Sequence, residues 1–326
     1  MKNEQFKAVA GRAGTSISSV SKVLNHCGGV DSALRRKVFA AADSLQLTRC
    51  READCDIYLI TPERPTYFWK NRVYKALVEA SGIYRSKYNV YTRLGDDYVL
   101  RYLEEAERLR TPVILFAGTP SERERVKLEK LAERRLVLLL YEYSAVKNAF
   151  YVGCDARRDG FAVGTCLVQR QFGTPVIFNC SQNENANRRL AGCLEALGGA
   201  ASHALVRELP AYNKLFPAKA AEILSELPPG GTYSVYSTGG TMAPLLLAAQ
   251  KAGLYERCLF FGHDMEECPD QTRIAMVIRQ DIERQVKWAM KFAGEYLESR
   301  LCPAEKCTTV ASELLTFPDA AQGPRA

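Results

Sequence analysis

The sequence predicts a small all-α domain at the N-terminus, followed by an α/β two-lobed domain with parallel sheets and helices on both faces. Two observations lead to this prediction. Apolar residues in the first part of the chain recur at helical spacing, whereas short apolar runs alternate with amphipathic segments from residue 57 onward. The alternation occurs in two consecutive series, and a chain of 326 residues can bury more than one core.

The first stretch is predicted to form two short helices around a tight turn, a helix-turn-helix. Gly14 can end the first helix in the left-handed conformation, and the hydroxyl of Ser16 can cap the second. Val20, Val23 and Leu24 form its apolar stripe. Short polar side chains with one cation suit phosphate contacts and base edges in a major groove. The candidate DNA-contacting residues are Ser16, Ile17, Ser18, Ser21, Lys22 and Asn25.

A third helix is predicted from Asp31, a good N-cap residue, to Leu45. Residues 1–47 contain a dense set of motif residues, Val9-Ala10, Ala13-Gly14, Ser16, the run from Val20 to Asn25, Val30 and Arg35-Arg36-Lys37-Val38. On these residues, the segment resembles the DNA-binding headpiece of the LacI/GalR family of bacterial transcriptional regulators. The alternative interpretation is a three-helix surface module whose serines are only solvated.

Charge is distributed unevenly along the chain. The formal net charge is +7, of which +6 lies within residues 1–51, so the remaining 275 residues carry +1. A small basic arm on a nearly neutral body is typical of a nucleic-acid module attached to a separate regulatory domain.

Composition also bears on the compartment. The N-terminus lacks the apolar core of a signal peptide, and no apolar run reaches membrane-spanning length, so we expect a soluble, cytoplasmic protein with no membrane partner. The eleven cysteines lack the paired spacing of zinc sites or disulfide frameworks. We interpret most of them as small, buried, reduced side chains. No cofactor, metal site or catalytic residue is predicted.

Residues 48–56 are polar and without periodicity, which indicates a short linker. In the LacI/GalR family this region usually carries a hinge helix whose leucine wedges into the minor groove. The linker has neither the proline-asparagine pair nor the Ala-x-x-Leu pattern of that hinge. The minor-groove wedge, and the usual link between hinge folding and effector binding, are therefore not predicted for this chain.

Beyond the linker, strands and helices alternate. The predicted strands are residues 57–60, 89–94, 113–117, 136–140, 151–155, 175–178, 204–206, 233–236 and 258–262. The predicted helices are residues 73–84, 99–109, 122–133, 186–197 and 242–252, with one more through Gly160, Gly164 and Val168.

This order resembles the periplasmic-binding-protein-like effector domain of the same family. The markers are Val152-Gly-Cys-Asp155 with Gly160, Arg189-Leu-Ala-Gly192, Phe261-Gly-His-Asp264 and Val277-Ile-Arg-Gln-Asp281. The resemblance implies an effector-binding and dimerisation domain over residues 57–326, in which residues 282–301 return to the first lobe. Lobe 1 would comprise residues 57–154 and 281–308, and lobe 2 residues 156–279 and 309–326.

Parallel α/β sheets bind ligands at the carboxyl ends of their strands, and two lobes make the cleft between them the default site. Phe68 and Trp69 follow the first strand and could lie against a sugar ring, although core packing is the alternative. The resemblance implies that Arg189 and Asp264 contact ligand hydroxyls. Arg188 competes with Arg189 for this role.

Two further candidates, Asp155 and Gln280, match positions in the cleft or at the hinge between the lobes. Ser237 and Thr238 stand where many members of the family have an Asn-Asp pair. Because specificity depends on which buried polar groups must be paired, the ligand could be a different sugar, a phosphorylated sugar or a nucleoside. The segment Gly239-Gly240-Thr241 could bind an anion at a helix N-terminus, but it lacks a Walker lysine.

The predicted function is that of a transcriptional regulator, most simply a repressor. A homodimer would bind palindromic operator DNA, and a sugar-like effector bound between the lobes would control it. The alternatives are a cytoplasmic sugar-binding protein or an α/β enzyme, either with a vestigial DNA-binding arm. Of the three histidines, only His263 has a neighbour, Asp264, suited to acid-base chemistry.

Overall fold

The structure, a computed structural model, describes residues 3–24, 30–45, 55–62, 72, 75–80, 88–95, 98–209, 216–239, 242–264 and 272–317. Within these residues the chain forms a three-helix N-terminal domain and two six-stranded sheets. Most of the predicted linker, residues 48–54, lies outside the described part.

The N-terminal domain, called the headpiece below, consists of α1 (Asn3–Ala13), α2 (Ile17–Leu24) and α3 (Ser32–Ser44). The predicted helix-turn-helix is confirmed. Gly14 has a φ of 62°, a left-handed conformation that a side chain disfavours, and the Ser19 amide donates to the Ser16 hydroxyl at 3.0 Å. The buried core of the headpiece consists of Val9, Ala10, Val20, Val23, Val30, Val38, Ala41 and Ala42.

The remaining elements follow in chain order. The strands are β1 (Ile57–Thr61), β2 (Val90–Leu94), β3 (Val113–Ala117), β4 (Leu136–Tyr141), β5 (Phe150–Gly153), β6 (Thr174–Asn179), β7 (Leu205–Glu208), β8 (Tyr233–Ser237), β9 (Cys258–His263), β10 (Ile274–Arg279), β11 (Cys307–Thr309) and β12 (Glu313–Thr316). The helices are α4 (Val99–Arg108), α5 (Glu122–Ala132), α6 (Ala156–Arg170), α7 (Glu184–Leu197), α8 (Phe216–Ser225), α9 (Met242–Lys251) and α10 (Ile282–Ser299).

Each sheet is the centre of one lobe. The sheet of lobe 1 has the order β11-β5-β4-β3-β1-β2 and is parallel throughout. The sheet of lobe 2 has the order β12-β10-β9-β8-β6-β7, and only β12 runs antiparallel to its neighbour. Strands buried on both faces explain the near-continuous apolar runs, such as Val113–Ala117, that the sequence shows.

Helices cover both faces of each sheet. In lobe 1, α10 and residues 75–80 pack on one face, and α4 and α5 pack on the other. In lobe 2, α8 and α9 cover one face, and α6 and α7 cover the other. The predicted alternation of strands and helices is therefore confirmed. The exact limits of the domains and lobes stay a prediction, although the chain passes between the sheets after β5, after β10 and between β11 and β12.

The pair α6 and α7 packs with backbone against backbone. A Cβ atom added to Gly160 would lie 1.9 Å from the carbonyl oxygen of Arg189, and one added to Gly192 would lie 2.0 Å from that of Arg157. Glycine is therefore required where the two helices approach each other.

Several features differ from the sequence prediction or extend it. The helices α8 and α10 and the strands β10, β11 and β12 were not predicted, and β7 extends to Glu208 rather than ending at residue 206. Of the eight described cysteines, Cys55, Cys154, Cys180, Cys193 and Cys258 are buried, as expected, and Cys302 and Cys307 are exposed. In the described part of the chain, helices with the length and apolar character needed to cross a membrane are absent.

Candidate functional site

The outer face of α2 carries the candidate DNA contacts. Ile17 is 40% exposed, Ser16, Ser18 and Lys22 are also exposed, and Ser21 is half-buried. The inner face packs Val20 and Val23 into the headpiece core. The helix therefore presents serine hydroxyls, the Lys22 cation and the apolar Ile17 side chain to solvent on one face, which suits a recognition helix. Asn25 lies outside the described residues.

The candidate effector site is a second site, and Arg189 of lobe 2 lies at its centre. It lies in the second turn of α7, whose N-cap Asn183 accepts from the Ala186 amide at 2.9 Å. Arg189 is 4% exposed, and its Nη1 donates to the carbonyl of Thr238 at 2.9 Å. Its Nη2 lies 3.8 Å from the Sγ of Cys154 in lobe 1. The residue thus touches both lobes at the edge where their strands end.

Asp264 and Gln280, two further predicted residues, form a buried pair. The backbone amide of Gln280 donates to one carboxylate oxygen of Asp264 at 2.9 Å, and its side-chain amide donates to the other at 2.6 Å. The pair joins the ends of β9 and β10. Both side chains are at most 3% exposed, so Gln280 fixes the orientation of the Asp264 carboxylate.

Ser237 and Thr238 lie at the end of β8 and are fully buried. The hydroxyl of Thr238 donates to Asn179 at 3.0 Å, and the hydroxyl of Ser237 donates to the carbonyl of Gly239 at 3.3 Å. These hydroxyls hold the strand ends of lobe 2 in place. The contribution of Thr238 to the Arg189 cluster comes from its carbonyl oxygen.

The structure brings Arg189, Thr238, Asp264 and Gln280 to one edge of lobe 2, whereas Asp155 has another role. Asp155 is exposed and caps α6 by accepting from the Arg158 amide at 3.1 Å. This geometry favours the hinge interpretation for Asp155. Phe68 and Trp69 lie outside the described residues. The effector contacts of all eight predicted residues stay predictions.

Three residues that connect the lobes, Glu142, Asn183 and Asn185, were not predicted from the sequence. Glu142 follows β4 in lobe 1 and accepts from the side-chain amide of Asn183 at 2.9 Å. The Asn185 side chain donates to the carbonyl of Tyr141 at 2.7 Å and accepts from the Tyr143 amide at 3.3 Å. Glu142 stands directly after a buried strand, so the strand-end rule that selected Asp264 could also have selected it.

Arg188, the competing candidate, lies beside these contacts. Its guanidinium carbon is 3.5 Å from the centre of the Tyr143 ring, and its Nε is 3.3 Å from Glu184. The cation therefore stacks on an aromatic ring of lobe 1. The described contacts of Arg188 include neither Asp264 nor Gln280.

Charges around Arg189 shift several pKa values. Burial opposes its charge, but the surrounding groups, which include Asp159, Asp264 and Glu142, outweigh burial and raise the pKa of Arg189. Burial raises the pKa of Glu142, and nearby Arg189 and Asn183 offset this only in part. Burial likewise raises the pKa of Asp159. The cluster holds a permanently charged arginine among carboxyl groups.

His263 is not placed for acid-base chemistry with Asp264. It is fully buried and shares a 2.8 Å hydrogen bond with the hydroxyl of Tyr236. Burial and nearby Arg189 hold the pKa of His263 well below its usual value, so the imidazole is neutral. Groups of three or more residues able to hold a metal ion are also absent from the described part of the chain.

An open groove of about 490 Å³ lies beside this cluster, at the hinge. Gln280 belongs both to the Arg189 cluster and to the lining of the groove. Arg72 and Glu283 line the groove from lobe 1. Arg279 and Glu313 line it from lobe 2 and pair with each other. The groove is polar, and described residues of both lobes line it.

Loss of the Asn185 side chain is expected to open the lobes. Asn185→Ala removes two hydrogen bonds between the lobes, which contribute about 1–3 kcal/mol together. Small-angle X-ray scattering should then give a larger radius of gyration. The matched control is Asn187→Ala, because the described hydrogen bonds of the Asn187 side chain go to Asn179 and Ser181, both within lobe 2. An equal radius for both variants would contradict a closing role for Asn185.

Fold and site together define a class of protein, in which a helix-turn-helix DNA-binding domain precedes a two-lobed α/β domain with a polar cleft. Residues 5–49 match the family described as "Bacterial regulatory proteins, lacI family". The headpiece is therefore a helix-turn-helix domain of the lacI family. A search of curated proteins found no match.

Solved structures share the fold at low sequence identity. The lac repressor dimer bound to operator and the anti-inducer ONPF has a TM-score of 0.64 and 15% identity, over 94% of this chain and 96% of that chain. The complex of the transcriptional regulator CelR with cellobiose has a TM-score of 0.65 and 16% identity, over 95% and 98%.

The glucose-galactose binding protein GanP from Geobacillus stearothermophilus has a TM-score of 0.67 and 16% identity, over 83% of this chain and 99% of that chain. The two-lobed domain thus has the periplasmic-binding-protein-like fold, and the fold of the chain is similar to that of the lac repressor and of CelR.

Proposed function

We propose that the protein is a transcriptional regulator that binds operator DNA through α2 and responds to a small molecule held between its lobes. The observation that carries this proposal is the lacI-family headpiece, which precedes a domain with buried polar residues at the facing edges of two lobes. A regulator binds DNA in the cytoplasm and acts by binding rather than by catalysis.

The effector is most simply a sugar or a sugar derivative. One line of support is that proteins with the same fold include a glucose-galactose binding protein and a regulator in complex with cellobiose. The other is that Arg189, Asp264 and Gln280 offer hydrogen-bonding groups. A homodimer on a palindromic operator is proposed, because two headpieces double the DNA contacts. Ligand control requires that the effector bind one arrangement of the lobes better than the other.

Two measurements test the proposal. Selection of duplexes from a random DNA library should yield a palindromic site, and a thermal-shift screen should identify ligands among pentoses, hexoses, sugar phosphates, polyols and nucleosides. A ligand that changes the operator affinity would establish regulation. Failure to select any DNA sequence would overturn the regulator and leave the sugar-binding protein, whereas turnover of a bound sugar would point to the enzyme.

Lys22→Ala is expected to weaken operator binding by about tenfold or more per half-site, because a lysine that contacts a base edge contributes about 1–3 kcal/mol. Lys22 is exposed on α2, so its truncation should not unfold the headpiece. Gel-shift titration on the selected site measures the effect. Lys130→Ala, which removes an exposed lysine of α5 in lobe 1, should leave the affinity unchanged. Equal affinity for both variants would exclude Lys22 from the DNA contact.

A further inference from the structure

Charges do not balance at the edge where the lobes meet. Among the described residues at this edge, the buried cation is Arg189, and it lies near three carboxyl groups, those of Glu142, Asp159 and Asp264. Among described residues, the hydrogen bonds of Arg189 go to a carbonyl oxygen and a sulfur. Among the described residues, the carboxyl groups therefore exceed the buried cations in this part of the cleft.

All three carboxylates accept hydrogen bonds within the protein. Asp264 accepts two bonds from Gln280, and Asp159 accepts from the Ser312 hydroxyl at 2.9 Å. Glu142 accepts one bond, from the Asn183 amide. Because Glu142 is more exposed than Asp159 and Asp264, it is the carboxylate best placed to receive a ligand.

Two buried atoms of the cluster have no partner among the described residues. One is Nε of Arg189, which is a donor, and the other is Oε1 of Gln280, which is an acceptor. Buried polar atoms are normally hydrogen-bonded, so these atoms suit a ligand that offers both acceptors and donors. Hydroxyl groups do both.

The neighbouring groove does not supply the missing positive charge. Its arginines, Arg72 and Arg279, lie at ion-pair distance from Glu283 and Glu313, and Asp281 adds a further carboxylate. A phosphorylated ligand would therefore meet an excess of like charge in the described part of the cleft.

We propose that the effector is a polyhydroxylated molecule with a protonated amine, of the amino-sugar class, and that Glu142 accepts from its ammonium group. This inference rests on the proposed function and narrows its ligand. A hydrogen bond between an ammonium and a carboxylate is among the stronger bonds available to a small ligand, and the hydroxyls would bond Arg189 and Gln280.

The test compares matched ligands by calorimetry with the full-length protein, at a pH where the amine is protonated. The probes are glucosamine, galactosamine and mannosamine, their N-acetyl forms, the neutral parent hexoses, and the corresponding hexose 6-phosphates. At least one amino sugar should bind at least about tenfold more tightly than its N-acetyl form and its parent hexose, and no hexose phosphate should bind more tightly than its parent.

Glu142→Gln retains the hydrogen bond from Asn183 and removes only the charge. It should reduce the preference for the amine to less than about threefold, whereas Glu222→Gln, which changes an exposed carboxylate of α8, should leave the preference intact. Tightest binding of a neutral hexose or a hexose phosphate would overturn the inference while the sugar-responsive regulator stands. Binding of none of the probes would overturn both this inference and the sugar effector.

Discussion

Arg189→Met is expected to reduce effector affinity by about a hundredfold while leaving operator binding by the headpiece in place. The guanidinium is buried at the meeting of the lobes, and its Nε is the donor without a protein partner among the described residues. A hydrogen bond from a charged donor contributes about 1.5–3 kcal/mol, and each tenfold change in affinity corresponds to about 1.4 kcal/mol.

The same substitution should also destabilise lobe 2. Removing the cation leaves Asp159, Asp264 and Glu142 without their common counter-charge, which costs about 3 kcal/mol in buried clusters. Arg189→Lys separates the two effects, since it keeps the charge but loses the planar fork that serves two acceptors. We expect Arg189→Lys to recover stability and to remain deficient in effector binding.

The control for both variants is Arg188→Met. Arg188 is adjacent in sequence but stacks on Tyr143 and pairs with Glu184. Calorimetry with the effector from the thermal-shift screen should give an affinity within about threefold of the unmodified protein. A larger loss for Arg188→Met than for Arg189→Met would transfer the ligand contact to Arg188.

Gly160→Ala is the second substitution with a large expected effect. The new Cβ atom would lie 1.9 Å from the carbonyl oxygen of Arg189, so α6 and α7 must separate. Overpacking of this kind costs about 3 kcal/mol or more, because backbone cannot move aside as a side chain can. The displacement would also shift Arg189, so effector affinity should fall together with stability.

Urea-induced unfolding followed by circular dichroism measures the stability change. Gly199→Ala is the matched control in the same lobe, because a Cβ atom there would have no neighbour within 4 Å. This control should stay within about 0.5 kcal/mol of the unmodified protein. An equally small change for Gly160→Ala would show that the helices separate without cost, contrary to the close packing described.

The local features of the chain were determined by sequence. Helical spacing, Gly14 and Ser16 predicted the headpiece, because a turn glycine and an N-cap act on neighbouring residues only. Buried apolar runs predicted most strands of both sheets, because this pattern also lies within the residues of each strand. The strands β11 and β12 escaped prediction, because they are short and largely exposed and form only by pairing with distant strands.

At the candidate site, the sequence and the family resemblance selected Arg189, which lies in α7, and Asp264 and Gln280, which directly follow β9 and β10. Only the tertiary structure decided that Glu142 lies near Arg189 and Asp264, since 41 residues separate Glu142 from Asn183, the N-cap residue of α7 that it contacts. It also decided that the Thr238 hydroxyl is used within lobe 2 and that Gly160 sets the position of Arg189. Contacts between distant segments depend on how the helices and sheets pack against each other. The spacing of residues along one sequence gives only local information and does not predict that packing.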